Sequence, residues 1–374
     1  MQTETTLSAD RPGLRVRRIH RAASELRRGV PVVLAGPAPL LILAAETAGA
    51  DGLAELEDAS DSEIMLILAP ARAAAILRAP MLAEASAVAV SLPSSLRKIP
   101  ILQSLVDPTA KQSPVREALK VVAEPPASAA ALGLAKIGRL LPAVLAVPLA
   151  SGYADRLAAH DLVEVSAADV LGYRGHEVAG LKQIVSAHVP LTGAPDSQVV
   201  AFRTDGSAIE HLAIVIGRPQ DHAAPLVRLH SECFTGDLLG SLRCDCGEQL
   251  RGAIRRMAED GAGVLLYLAQ EGRGIGLINK LRAYELQDRG LDTMDANRVL
   301  GWAADERNFM VAAAMLQIMG LHRVRLLTNN PDKLEAMQAC GIEIAGREPH
   351  LIAANGVNDE YLATKASRFG HMLD

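Results

Sequence analysis

The chain has 374 residues, more than one hydrophobic core usually organises, so two domains are expected. Its apolar fraction of 49% and charged fraction of 22% describe an ordinary soluble globular protein. The net charge of -5 supplies no global basic field for nucleic acid, and the most apolar stretches, 30–45 and 140–150, are too short and too broken by prolines to cross a membrane.

The spacing of Ile19, Ala23 and Leu26 predicts a helix over 14–28, ended by Gly29 with Pro31 just beyond. Arg11, Arg15, Arg17, Arg18 and Arg21, interrupted by Glu4, Asp10 and Glu25, read as a solvated amphipathic face, and no apolar signal core follows Met1. Short buried strands are expected at 32–34, 40–43, 64–68 and 87–92, with alanine-rich helices between them, as in an α/β domain. A helical run over 113–138, broken at Pro125 and Pro126, is followed by strands at 143–148 and 161–165 and a helix capped by Ser166. The polar stretch Tyr173-Arg-Gly-His-Glu predicts a linker between 172 and 181, and no catalytic constellation precedes it.

Further on, strands at 198–203, 211–216 and 226–229 lead into 227–250, VRLHSECFTGDLLGSLRCDCGEQL. This segment holds three of the four cysteines, Cys233, Cys244 and Cys246. Such crowding does not suit a disulfide framework and points to a metal site. Zinc suits thiolates, and spacing alone leaves two arrangements open: a catalytic ion with three thiolates and a place for water, or a closed structural site completed by His230. Thiols kept available for metal fit a reducing cytoplasm. The isolated Cys340 reads as a small buried apolar residue.

A helix over 248–260, stopped by Gly261, and a strand over 263–268 precede Gln270-Glu-Gly-Arg-Gly-Ile-Gly, which opens a helix over 277–288. Glycines between a strand and a helix let backbone N–H groups approach a phosphate, although a tight turn alone accounts equally for them. Asp305 is expected to cap an apolar helix over 309–319, and Pro331 to begin another after a strand at 324–327. Lys333, in the first turn of that last helix, opposes the helix dipole unless an anion sits there. A phosphate partner and a solvated lysine are the two readings.

The ordered set Arg228-Leu-His-Ser-Glu-Cys233, Ser241-Leu-Arg-Cys244-Asp-Cys246-Gly, Gln270-Glu-Gly-Arg273, Arg282-Ala-Tyr284, Ala304-Asp-Glu-Arg307 and Leu327-Thr-Asn-Asn-Pro331 resembles GTP cyclohydrolase II, from about residue 187 onward. That family opens the imidazole ring of GTP for riboflavin synthesis, releasing formate and pyrophosphate. The resemblance implies zinc on Cys233, Cys244 and Cys246, and Mg²⁺ with the triphosphate. It carries over Asp305 as general base, Arg307 as the proposed nucleophile at the α-phosphate, and Tyr284 near the purine. The implied GTP contacts are Arg228, Leu229, His230, Ser231, Glu232, Gln249, Glu271, Gly272, Arg273, Thr293, Thr328 and Lys333. Glu271 is expected to accept the guanine N1–H, and electrostatic stabilisation of the departing phosphate is the more conservative role for Arg307, since a guanidinium stays protonated. The family also implies a homodimer.

The first half resembles 3,4-dihydroxy-2-butanone 4-phosphate synthase more weakly, through Ser24-Glu-Leu-Arg-Arg-Gly-Val-Pro-Val-Val-Leu and Ala44-Ala-Glu46. Where that family carries an acidic metal-binding loop this chain has Ala35-Gly-Pro-Ala-Pro39, and a second motif is replaced near Glu124-Pro-Pro-Ala-Ser-Ala129. Without those carboxylates and the motif's histidine, Mg²⁺ binding and proton abstraction have no evident agents. The expected fold is therefore α/β (α+β) in two domains, each a mixed β-sheet flanked by helices: an inactive synthase-like domain over 1–180 and a cyclohydrolase domain over 181–374.

Overall fold

A computed structural model describes residues 12–59, 62–80, 85–113, 119–150, 152–352, 355–359, 368, 370 and 372. The chain divides into two compact units, one of Met1–Gly180, Asp205–Ser207 and Asn297–Trp302, the other of Leu181–Thr204, Ala208–Ala296 and Ala303–Asp374. Each is a mixed sheet with helices packed on it, as expected.

In the first unit the elements run α1 (Pro12–Arg27), β1 (Val32–Ala35), β2 (Leu40–Ala44), α2 (Ala50–Ala59), β3 (Met65–Leu68), α3 (Pro70–Leu77), β4 (Val88–Ser91), α4 (Ile99–Val106), α5 (Ser128–Ile137), β5 (Ala143–Pro148), α6 (Ala154–Ala159), β6 (Val163–Ser166), α7 (Ala167–Leu171) and α8 (Tyr173–Ala179). The six strands lie in the order β4-β3-β5-β2-β1-β6, antiparallel except for the parallel β1–β6 pair. Val16, Ile19, Ala22, Ala23 and Leu26 fall on one face of α1 and are buried, the last four packing with Leu34, Ile42, Leu132 and Val144. Fully burying each such large side chain contributes about 1.5–3 kcal/mol. Gly29 ends α1 with φ of 76°, and a Cβ there would lie 2.5 Å from the Thr47 carbonyl oxygen. Ser166 caps α7, accepting the Asp169 N–H.

The expected linker over 172–181 is instead α8. It packs on α1, where the Tyr173 hydroxyl donates to Glu177 and lies 3.0 Å from His20 Nε2. Its polar composition concealed the helix because the polar groups satisfy one another. Of the helical run expected from 113, residues 114–118 lie outside the described residues, and 119–124 are extended rather than helical. The expectations for Glu4, Asp10 and Arg11 also lie outside the described residues.

The second unit contains β7 (Leu181–His188), β8 (Ser197–Thr204), β9 (Glu210–Ile216), β10 (Leu226–Ser231), α9 (Cys246–Asp260), β11 (Gly263–Leu268), α10 (Leu277–Asp288), the first four residues of α11 (Thr293–Val299), α12 (Met310–Ile318), β12 (Arg323–Leu327), α13 (Pro331–Ala339) and β13 (Glu343–Glu348). Its seven strands are ordered β13-β12-β10-β11-β9-β8-β7. The four from β13 to β11 are parallel, and the remaining three continue antiparallel. Val227, Leu229, Val264, Leu265, Leu266, Val324 and Leu326 are buried in near-continuous apolar runs, as parallel strands require when both faces are covered. In open sheets of this kind, ligands bind beyond the carboxyl ends of the parallel strands. The segments that follow β10, β11 and β12 there are 232–246, 269–276 and 328–333.

Two expectations about single residues change. Asp305 caps no helix: α12 begins at Met310, and Asp305 lies in the loop before it, where its Oδ1 accepts the Arg307 N–H at 3.0 Å. Cys340 is half-buried rather than buried and forms the C-terminal cap of α13.

Candidate active site

The thiol cluster forms where the loop after β10 meets the start of α9. Cys233 precedes a π-helical turn, Phe234–Leu238, and Cys246 begins α9. Two glycines permit the approach. A Cβ at Gly236 would lie 2.7 Å from Cys244 Sγ, 2.9 Å from Cys246 Cβ and 3.1 Å from Cys233 Sγ, and one at Gly247 would lie 2.2 Å from the Gly236 carbonyl oxygen. Cys233 Sγ and Cys244 Sγ are 3.8 Å apart, and the three sulfurs all lie within 4.8 Å of one another. All four cysteines are free. Hydrogen bonds from Cys244 and Cys246 push the Cys233 thiol far down, with help from Lys280, and the negative sulfur this creates raises Cys244 to about 11. Three thiols this close together, two buried and one half-buried, fit a divalent metal ion.

His230 does not join this cluster among the described residues. Its Nε2 is 3.1 Å from both carboxylate oxygens of Asp237, whose Oδ2 also accepts the Cys233 N–H and the Tyr267 hydroxyl, each at 3.0 Å. Burial lowers the His230 pKa against the opposing pull of Asp237. His230 and Asp237 therefore brace the loop from beneath, and the four-ligand arrangement left open by spacing is not formed.

Next to the thiols runs the glycine-rich turn after β11. Gly272, Arg273, Gly274 and Gly276 all have positive φ, and for Arg273 that backbone costs about 1–2 kcal/mol. The turn is held by Gly276 N–H to the Glu271 carbonyl at 2.9 Å and by Glu306 N–H to the Arg273 carbonyl at 3.0 Å. Glu271 is 1% exposed, and its carboxylate accepts from Phe234 N–H at 2.6 Å, Gly272 N–H at 2.8 Å and Lys280 Nζ at 2.9 Å. With both oxygens engaged by interior donors, two on Oε1 and one on Oε2, the side chain braces the cysteine loop. Tyr284, on α10, has its hydroxyl 3.5 Å from Thr235 Oγ1 and its ring 4.6 Å from the Arg243 guanidinium.

The third segment gathers cations. Arg228 is buried, donates to the Leu327 carbonyl at 2.9 Å and to Gln249 Oε1, and leaves its Nε buried without a partner, as is Ser231 Oγ. Burial lowers the Arg228 pKa to about 10, with Asp245 and Cys246 opposing and nearby Arg307 contributing. Lys333 is buried rather than solvated, with Nζ 2.8 Å from the Leu229 carbonyl. The Phe309 ring lies 5.0 Å from the Arg307 guanidinium and 5.9 Å from the Lys333 ammonium. Asp305 clasps Arg307 through Nε and Nη2. Burial raises the Asp305 carboxyl, yet the bonds and charge of Arg307 outweigh it and hold the pKa below the usual value.

Of the remaining expected contacts, Leu229 and Ser231 lie on β10, and Glu232 follows it with its N–H on the Leu268 carbonyl. Thr328 is buried after β12 and accepts the Asn330 N–H at 3.1 Å. Thr293 begins α11, where it is held by Gln287 Nε2 at 3.3 Å. Residue spacing missed Lys280, Thr235, Asp237, Gly236 and Phe309. Thr235, Gly236 and Asp237 had one sequence signal, their place within the cysteine segment; Lys280 and Phe309 had none.

Thiols that suit a metal and buried guanidiniums that suit an anion divide two tasks, activating water and holding a charged substrate. That division suits a hydrolase of an anionic ligand. The sequence model of GTP cyclohydrolase II matches residues 182–349. A GTP cyclohydrolase-2 from Azospirillum brasilense is 44% identical over 379 residues, covering 99% of this chain and 97% of its own. One from Escherichia coli O9:H4 is 50% identical over 194 residues, covering 52% of this chain and 98% of its own. Among solved structures, a two-domain 3,4-dihydroxy-2-butanone 4-phosphate synthase from A. baumannii aligns with 90% of this chain and 100% of its own at 17% identity and a TM-score of 0.36. The chain belongs to the GTP cyclohydrolase II family.

Proposed function

We propose that the chain opens the imidazole ring of GTP to 2,5-diamino-6-ribosylamino-4(3H)-pyrimidinone 5′-phosphate, releasing formate and pyrophosphate in the first step of riboflavin biosynthesis. The observation that carries this reading is the convergence of the thiol cluster, Tyr284, the Asp305–Arg307 pair and the buried cations in one unit. Zinc is the ion the thiolates suit, and when bound it supplies the Lewis acidity that activates water near neutral pH.

The chain's own residues do the rest. Arg228, Arg273, Thr328 and Lys333 would hold the triphosphate with its Mg²⁺, and a polyanion would take up the unpartnered Arg228 Nε and Ser231 Oγ. Gln249 keeps Arg228 aimed by accepting from its Nη2 while donating to Asp245. Arg307, charged and pinned by Asp305, offsets the charge that grows as pyrophosphate leaves, and this supports an electrostatic role over a covalent one. Asp305, kept ionised by the same pairing, is available to accept a proton once Arg307 turns toward phosphate. Tyr284 orients the purine. The 1–180 domain acts as an inactive synthase-like accessory, and the working unit is a cytoplasmic homodimer that binds neither nucleic acid nor membrane. Among the described residues no helix is long and apolar enough to cross a membrane.

The test is incubation of the purified, zinc-loaded protein with GTP and Mg²⁺, following formate, pyrophosphate and the diaminopyrimidinone together. Release of all three in equal amounts is expected, and pyrophosphate without formate would refute ring opening.

A further inference from the structure

Lys280 stands in the first turn of α10, where a cation opposes the helix dipole, and it is 9% exposed. A buried ammonium persists only where it is paired, and this one uses all three hydrogens. Nζ lies 3.0 Å from Cys233 Sγ, 2.9 Å from Thr235 Oγ1 and 2.9 Å from Glu271 Oε1. Each acceptor leads on to the site. Glu271 Oε2 accepts the N–H of Phe234, the residue after Cys233, and Thr235 Oγ1 is 3.5 Å from the Tyr284 hydroxyl.

We propose that Lys280 is a positioning residue for the ring-opening reaction, tying the Cys233 sulfur, the Glu271 carboxylate and, through Thr235, the Tyr284 hydroxyl into one assembly of fixed geometry. The inference rests on the metal-dependent reading above and gives Lys280 two effects. First, three thiolates around a divalent ion leave negative charge uncompensated. A sulfur that accepts a hydrogen bond from an ammonium donates less to the ion and leaves it more electrophilic. Second, the distance between the tyrosine and the metal ligand is fixed by a side chain that touches both networks, so a loose Lys280 position would misalign purine and metal without weakening the cation cluster that holds the triphosphate.

The test uses the full chain loaded with Co²⁺ for absorption and with zinc for GTP turnover. Lys280→Met should shift the thiolate-to-cobalt charge-transfer band to lower energy in the absence of GTP, and should lower kcat about 10–100-fold with KM within about threefold. Thr235→Val should lower kcat by about tenfold while shifting the cobalt band much less than Lys280→Met does, because it cuts the link to Tyr284 and only the long, 3.7 Å contact of Thr235 Oγ1 with Cys233 Sγ, while the Lys280 ammonium stays on the sulfur. An unshifted band together with a near-normal kcat in Lys280→Met overturns the proposal. Should Lys280→Met not accumulate as folded protein, a wild-type kcat in Thr235→Val overturns it instead. Failure of the unsubstituted protein to open GTP would sink the functional reading, whereas the cobalt band of Lys280→Met reports the sulfur contact independently.

Discussion

Gly236→Ala adds a single methyl group to the centre of the thiol cluster, and its cost can be worked from distances. The backbone accepts alanine there, because Gly236 is not among the positive-φ glycines. The methyl itself has no room: its carbon would lie 2.7 Å from Cys244 Sγ, 2.9 Å from Cys246 Cβ and 3.1 Å from Cys233 Sγ. Non-bonded heavy atoms settle at about 3.5–4.0 Å, so at least one cysteine must retreat by roughly half an ångström or more. Metal–ligand distances hold to about 0.2 Å, and disturbing the support of a ligand costs about 10–100-fold in metal affinity, or about 1.4–2.8 kcal/mol. Competition for zinc against a chromophoric chelator, with circular dichroism to confirm folding, reads this directly. GTP turnover should fall at limiting zinc and recover partly when zinc is in excess. An alanine variant that holds zinc as tightly as the unsubstituted protein would refute the idea that this glycine exists to admit three sulfurs.

Arg307→Ala should lower kcat for pyrophosphate release about 10²–10³-fold while metal content stays at the wild-type level, measured by rapid quench and metal analysis; near-normal release would remove Arg307 from the chemistry. Burial lowers the His350 pKa to about 4, so that side chain is neutral in the folded state at pH 7 and its contribution is complete above about pH 6.5. As pH falls from about 6.5 toward 4 the unfolded state takes up the proton first and stability drops, by at most about 3 kcal/mol. Urea unfolding across that window should show a shallower slope in His350→Gln than in wild type, the remainder coming from groups such as His230 whose pKa burial also lowers; an unchanged slope would refute the reading. Ribulose 5-phosphate should not be turned over by the full chain with Mg²⁺, and formation of the dihydroxybutanone phosphate would overturn the reading of the first 180 residues as inactive.

What the sequence revealed depended on how far each signal reaches along the chain. The buried parallel strands declared themselves through local apolar runs, and β11 and α10 match their expected bounds. β7 and β13 did not, because each is an edge strand with much of its surface in solvent: β7 exposes seven of its eight residues, and β13, Glu-Ile-Ala-Gly-Arg-Glu, exposes every second residue and buries none fully. Tyr173–Ala179 looked like a linker because a helix that pairs its polar groups internally shows no apolar stripe. The cysteines were legible because three crowd into one segment. Lys280 was not, since the sulfur it touches is 47 residues away and nothing nearby marks it. Asp237 likewise gives no local sign that it braces His230, Tyr267 and the Cys233 backbone at once.

The central claim is that the three thiols hold the ion through which GTP is opened, and Cys244→Ser tests it most directly. Zinc content and formate release from GTP are measured side by side in this variant and in the unsubstituted protein. Loss of both together, with the fold intact by circular dichroism, is the predicted result. Undiminished formate release from a variant that no longer retains zinc would contradict the account.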